Sequence, residues 1–267
     1  MNSLKTTLLV LVLFLSFTLQ AQEEEKPQGD GPSAEELAKS NNPLADLTAF
    51  NVQYYFRPAL NEVDGGYAHT TWFRFAVPTG RILWRVSAPL EFRGVTNSEG
   101  SFSKSGLGDI DIFAAYIAVQ KPNLTFGLGP SASFDTATDD ALGTGKNTLG
   151  VAAVVFAVPN PQIQVGGLVI WRADVGGDDM RADVNTLAIQ PFYFFQLGKG
   201  LYFRGAPIIP FNLESGDYHV PMGLGIGKVV KIQGTVLNFF IEPQPSILLH
   251  GAGQPQFQVY GALNMQF

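Results

Sequence analysis

The sequence predicts an all-β chain: a 12-stranded antiparallel transmembrane β-barrel of the outer-membrane type, with a short N-terminal periplasmic leader. Three observations predict it. Residues 256–267 alternate strictly, with Phe257, Val259, Gly261, Leu263, Met265 and Phe267 set against Gln256, Gln258, Tyr260, Ala262, Asn264 and Gln266. Period-two alternation puts successive side chains on opposite faces of a strand. The same alternation recurs in short segments from Leu47 onward, separated by turn signals. Finally, tight turns and longer polar loops take turns along the chain, which is how outer-membrane barrels are laid out.

Composition narrows the class. Only 15% of the 267 residues are charged and 46% are hydrophobic, which argues against disorder, and a net charge of -6 excludes a general basic footprint for nucleic acid. The chain has no cysteine, so disulfides, thiolate metal sites and cysteine nucleophiles are excluded. Its one continuously apolar run, 7–19, follows Lys5 and precedes Ala21. A basic start, a short apolar stretch and a small residue at the cut read as a signal peptide over 1–21.

Residues 22–46 form a polar periplasmic leader, flexible around Glu23-Glu24-Glu25-Lys26-Pro27 and Gly29-Asp30-Gly31-Pro32. Ser33 with Glu36 fits a capping box, predicting a short helix from Ala34 to about Ser40. The barrel then occupies 47–267. Its first strand carries Phe50, Val52, Tyr54 and Phe56 on one face and Asn51, Gln53, Tyr55 and Arg57 on the other. The second sets Phe73, Phe75 and Val77 against Trp72, Arg74 and Ala76, and the third Trp84, Val86 and Leu90 against Arg85, Ser87, Glu91 and Arg93. In the fourth, Ile110, Ile112 and Tyr116 oppose Asp109 and Asp111, and in the fifth Leu124, Phe126 and Leu128 oppose Thr125 and Ser131. The sixth, 148–158, is apolar on both faces and its register stays open.

The seventh strand opposes Ile163, Val165, Val169 and Trp171 to Gln164 and Arg172. In the eighth, Phe192 and Phe194 share the inner face with Gln190 and Gln196. The ninth opposes Leu201 and Phe203 to Tyr202 and Arg204, the tenth Met222, Leu224 and Ile226 to glycines 223, 225 and 227, and the eleventh Leu237, Phe239 and Ile241 to Asn238, Glu242 and Gln244. Tight turns are expected at 78–80, 121–123, 159–161, 198–200 and 231–234, and longer loops at 58–68, 94–106, 135–147, 174–182, 213–219 and 249–255.

Charge placement admits two architectures. In a soluble sandwich the oily faces would form a core and the charges would meet water. In a barrel the oily face meets lipid and the charges line a lumen. Aromatics near strand ends, among them Tyr54, Phe92, Tyr116, Trp171 and Tyr193, fit interfacial girdles and favour the barrel.

Several stretches resemble a known family: 42–47 (Asn-Pro-Leu-Ala-Asp-Leu), 106–109 (Gly-Leu-Gly-Asp), the loop from Thr136 to Lys146, and Gly177 to Asn185 followed by Gln190-Pro191-Phe192. These are similar to bacterial proteins labelled neuromedin U, and to the wider family of outer-membrane transporters linked to the meta-cleavage pathway of phenol degradation. The resemblance covers essentially the whole mature chain. It implies an outer-membrane barrel with a transport role, and carries no substrate or functional residue.

A twelve-stranded barrel lies between filled eight-stranded barrels and open sixteen-stranded porins, so a narrow or gated pore is expected. The expected lumen-lining set is Arg74, Arg85, Glu91, Arg93, Asp109, Asp111, Arg172, Arg204 and Glu242. These residues fit either of two arrangements. Arg74, Arg85 and Arg93 can form a basic track facing an acidic counterpart and select solutes by charge, or the charges can pair and fill the lumen. In the acidic loops, Asp139, Asp140, Lys146, Asp178, Asp179 and Asp183 are candidates for a constriction, or for Ca²⁺ ligation without EF-hand spacing. The three histidines, His69, His219 and His250, sit at no zinc-ligand spacing, and no Gly-x-Ser-x-Gly elbow occurs, although Ser215 or Ser246 could lie near a histidine.

The expectation is therefore a passive outer-membrane channel for small polar or aromatic solutes, without cofactor or catalysis. Its expected partners are membrane lipid, a small-molecule solute, and the barrel-insertion machinery reading the last strand with Phe267. An outer-membrane lipid hydrolase and a non-conducting structural barrel are the alternatives.

Overall fold

The structure is a computed structural model and describes residues 32–267. The signal peptide expected over 1–21 and the leader residues 22–31 lie outside the described residues. One helix, α1 (Ala34–Asn41), precedes β1 (Ala49–Leu60), β2 (Gly66–Thr79), β3 (Ile82–Asn97), β4 (Gly100–Leu107), β5 (Ile110–Lys121), β6 (Leu124–Phe134), β7 (Lys146–Asn160) and β8 (Ile163–Gly177). Then follow β9 (Asn185–Gly198), β10 (Leu201–Gly205), β11 (Ile209–Asn212), β12 (Tyr218–Pro221), β13 (Gly225–Ile232), β14 (Thr235–His250) and β15 (Pro255–Gln266).

These segments make 12 strands, because β4 with β5, β10 with β11 and β12 with β13 are each one strand interrupted. Every pairing is antiparallel, and β15 pairs with both β14 and β1. The sheet therefore closes on itself, which leaves no edge strand to protect and excludes the sandwich. Side-chain direction agrees. Trp84, Val86, Leu128, Val151, Trp171 and Ile241 project outward and are exposed, while Gln53, Ser87, Asp111, Gln164, Asn238 and Gln244 are buried inside. Polar inside and apolar outside is the reverse of a soluble protein, and it suits a hydrocarbon solvent.

The five expected tight turns are two-residue connections, at 80–81, 122–123, 161–162, 199–200 and 233–234. At 199–200 and 233–234 both residues have positive φ (Lys199 49°, Gly200 77°, Gln233 50°, Gly234 87°). That backbone matches the right-handed twist of the flanking strands. All five lie at one end of the barrel.

The opposite end departs from expectation in three places, one of them the loop expected at 174–182, which lies at 178–184 because β8 runs on to Gly177 paired with Lys146. Residues 94–106 are not a loop: β3 and β4 continue as a paired hairpin from Leu90↔Leu107 to Asn97↔Gly100. β4 is almost wholly exposed, so its Ser and Gly side chains carry no alternation that a buried face would impose, and backbone pairing alone organises it. The loop expected at 58–68 shrinks to 61–65. The ninth and tenth strands are broken at 206–208 and 222–224, where Pro207 and Pro221 supply no N–H to a ladder. Tyr193 closes the outer side of this break by donating its hydroxyl hydrogen to the Gly223 carbonyl.

The open register of the sixth strand is settled by volume. β7 turns Ala152, Val154 and Phe156 inward and exposes Leu149, Val151 and Val155. Phe156 meets Phe192 and Phe194 of β9 at ring-centroid separations of 6.3 and 6.4 Å. One side of the interior is thus apolar.

Helix α1 begins with the capping box: Ser33 Oγ accepts from the Glu36 amide at 3.2 Å, and Glu36 Oε2 accepts from the Ser33 amide at 2.9 Å. Its C-terminal turn docks on the barrel at the tight-turn end. Asn41 Nδ2 donates to Gln164 Oε1 at 3.0 Å, and Asn238 Nδ2 donates to Ser40 O at 3.1 Å and to Asn41 Oδ1 at 3.0 Å. Gln266 Nε2 donates to Lys39 O at 3.3 Å, and Lys231 Nζ reaches Glu36 Oε1 at 2.7 Å. Leu44 is then 4% exposed among the buried apolar residues.

Candidate solute pathway

Inward parity brings Arg74, Arg85, Asp111 and Arg172, four of the predicted charges, into one belt. Across neighbouring strands Arg74 lies opposite Ser87, Arg85 opposite Phe113, and Ser87 opposite Asp111. Arg74 donates to Gln53 Oε1 at 2.7 Å and lies 4.9 Å from the Trp72 ring. Arg85 sits 4.2 Å above the Phe113 ring, and its Nε, like that of Arg74, is buried without a hydrogen-bond acceptor. Arg172 donates to Ser131 Oγ at 2.8 Å and approaches Asp111 Oδ1 at 3.7 Å.

A second set of charges is joined in a continuous chain of bonds. Arg204 Nε donates to Glu242 Oε2 at 2.7 Å, and the other carboxylate oxygen accepts from the Ala206 amide at 2.8 Å and from Gln244 Nε2 at 2.6 Å. Gln258 Nε2 donates to Gln244 Oε1 at 2.5 Å. Arg57 donates to Gln258 Oε1 at 3.2 Å and to Thr70 Oγ1 at 2.7 Å, and Thr70 passes its hydrogen to Glu91 Oε2 at 2.9 Å. This chain of bonds crosses β10, β14, β15, β1, β2 and β3. Arg204 also lies 3.3 Å from the centroid of the Phe240 ring. Satisfied networks in low dielectric are rigid, so this half of the wall is fixed.

Part of the expected pairing is present, while the expected track of Arg74, Arg85 and Arg93 does not stay together. Arg204 with Glu242 and Arg172 with Asp111 are ion pairs. Arg74 and Arg85 have no ion pair among the described residues. Arg93 shares the face of Glu91 but is exposed nearer the loop end.

Asp109 belongs to the loops and not to the belt. It accepts from the Thr144 amide at 2.7 Å and the Thr144 hydroxyl at 2.8 Å, tying the 135–145 loop to the inner face of the wall. Arg181 holds the same loop through the carbonyls of Asp140, Gly143 and Thr144, at 2.9, 2.7 and 3.2 Å. Lys104 Nζ meets Asp139 Oδ2 at 2.6 Å, which raises the lysine and lowers the aspartate from their ordinary values. Lys146 is buried with its Nζ 3.5 Å from Asp183, Asp178 accepts from the Met180 amide at 2.9 Å, and Asp179 is exposed. Among the described residues no three acidic or histidine side chains converge as a metal site.

The histidines are placed by packing. His69 sits on the outer face among Tyr54, Phe56, Tyr67 and Phe92, and His250 stacks on Tyr218. His219 Nε2 is 2.7 Å from Ser246 Oγ. That hydroxyl donates to Pro255 O at 2.5 Å, an arrangement in which His219 Nε2 donates to the serine and does not accept from it.

Between the belt and α1 lies a cavity of about 150 Å³. Ser40 to Pro43 and Ala45 bound it on the tight-turn side, Arg74, Arg85 and Arg204 on the charged side, and Leu168, Phe192 and Phe194 on the apolar side. Gln53, Tyr260 and the 40–45 segment were absent from the predicted lumen set. Parity alone could have found the first two, and no sequence signal places the third inside a barrel.

No family model matches the chain, and no curated protein matches it. Among solved structures the barrel is similar to the COG4313 outer membrane channel from Pseudomonas putida F1, with TM-score 0.62 and 12% identity over 91% of this chain and 100% of that one. Two further similar structures are a KdgM porin in complex with disordered oligogalacturonate, with TM-score 0.46 and 8% identity over 82% of this chain and 98% of that one, and the CymD monoaromatic hydrocarbon channel, with TM-score 0.43 and 8% identity over 90% and 94%. The expectation drawn from the loop motifs is met at the level of barrel type and not at the level of that named family. The chain has the fold of an outer-membrane channel.

Proposed function

We propose that the protein is a passive channel of the bacterial outer membrane, passing small polar or aromatic solutes through a narrow charged lumen. The observation that carries this reading is the cavity inside the closed barrel, edged by unpaired arginines and bounded below by residues 40–45. The tight turns face the periplasm and the longer loops face outward. The outer apolar band contacts lipid, and β15 is the segment read by the barrel-insertion machinery. The loop resemblance to the phenol-pathway transporters supports the same role. Diffusion down a gradient needs no cofactor, and the bonding of Ser246 to Pro255 speaks against a hydrolase.

On this reading the lumen is constricted at α1 with residues 42–45 and at the Asp109-anchored loop, and conduction follows a shift of the lower segment. Reconstitution in a planar bilayer tests the reading. Brief openings of small conductance with anion preference are expected, and Arg85→Glu should reduce that preference. A membrane sealed at all voltages, for the full chain and for a variant lacking residues 32–46, would overturn it.

A further inference from the structure

The lining of the lumen cavity contains three arginines and no acidic residue. Arg204 is neutralised by Glu242 at 2.7 Å. Arg74 and Arg85 are not: each has a buried Nε without an acceptor, and aromatic rings cover part of each guanidinium. A guanidinium taken out of bulk water with unused donors calls for an anion, and its planar fork matches a carboxylate. The facing side is of opposite character. Leu168, Phe192 and Phe194 present hydrocarbon, and the two rings lie 6.5 Å apart. An apolar cavity of this volume accommodates about one benzene ring. Tyr260 and Asn51 border the same space and offer further hydrogen-bonding groups.

We propose that this cavity is a binding site for a small amphipathic monoanion, with its carboxylate on Arg74 and Arg85 and its ring or short hydrocarbon body against Leu168, Phe192 and Phe194. The inference deepens the channel reading and rests on it for its biological sense, since such a site would concentrate one solute class within the pathway. The two charged donors and the apolar wall act on different parts of the ligand. A molecule with only one of those parts binds weakly.

The test is calorimetric titration of the full refolded chain in detergent micelles with benzoate, benzyl alcohol and acetate. Benzoate should bind saturably at one site, and each of the other two about tenfold or more weakly. Arg85→Gln and Arg74→Gln should each lower benzoate affinity by about tenfold or more. Phe194→Ala should weaken benzoate and leave acetate unchanged. The ligand series needs no variant, so the proposal stays falsifiable if a substitution prevents refolding. Equal binding of benzoate and benzyl alcohol, absence of saturable benzoate binding, or unaltered affinity in both arginine variants would overturn it. Conductance without benzoate binding would remove the site and leave the channel. Benzoate binding to a barrel that never conducts would remove the channel and leave the site.

Discussion

Glu242 has almost no exposure and accepts three hydrogen bonds, from Arg204, the Ala206 amide and Gln244. Glu242→Gln would leave the Arg204 guanidinium buried without a counter-charge, which costs about 3–5 kcal/mol. The variant should unfold at lower guanidinium concentration than the parent. A double variant, Arg204→Met with Glu242→Met, should recover most of the loss, because no charge is then left unpaired. If the single variant is as stable as the parent, water reaches this side of the wall and the network is not dry. By the same logic Arg74 and Arg85 are held without carboxylates only because the lumen gives them solvent or solute, and stacking on Trp72 and Phe113 offsets part of their desolvation.

At the scale of elements, the lower closure proposed above rests on the docking of α1. The hydrogen bond from Lys231, reinforced by the Ser33 amide, holds the Glu36 carboxyl at about 2, below its ordinary 4.5. A lowered carboxyl contributes its stabilisation in full above the ordinary value and loses it as pH falls through the lowered one. Opening should therefore be insensitive to Glu36 from pH 7 to 5 and rise between about 4.5 and about 2, as read from open probability in bilayers. Glu36→Gln should abolish that rise, and a transition above pH 5 would assign the gate to another group. The 135–145 loop is held at the opposite end through Asp109 and Arg181, and we propose that it constricts the pathway there. Deleting residues 138–145 should raise single-channel conductance, and an unchanged conductance would remove the loop from the pathway.

For the whole molecule, the channel reading proposed above makes the interior charges the basis of selectivity. The inner wall named above carries Arg57, Arg74, Arg85, Arg93, Arg172 and Arg204 against Glu91, Asp109, Asp111 and Glu242, six positive against four negative. The excess attracts anions even though the chain as a whole is acidic. Raising salt from 0.1 to 1 M shortens the screening length from about 10 Å to about 3 Å. Anion preference should shrink over that range in reversal-potential measurements. A preference independent of salt would mean that pore width, and not charge, discriminates.

Alternation, turn chemistry and capping are local, and they made the barrel legible. Strand faces other than those of the sixth strand, the five tight turns and the Ser33–Glu36 helix start could each be read from residues a few positions apart, because a strand's period is two and a capping box spans three. The inward placement of Arg74, Arg85, Asp111, Arg172, Arg204 and Glu242 followed from that same parity. Their pairing did not. Which arginine meets which carboxylate depends on strand register and stagger, and partners such as Arg204 and Glu242 are far apart in the chain. The β3–β4 hairpin escaped because polar exposed strands lack a face to betray them. The turning of Phe156 inward to join Phe192 and Phe194, and the seating of residues 40–45 beneath the arginines, were decided only by closure of the sheet. A lumen exists only once the last strand pairs with the first, and what fills it is a matter of volume in three dimensions.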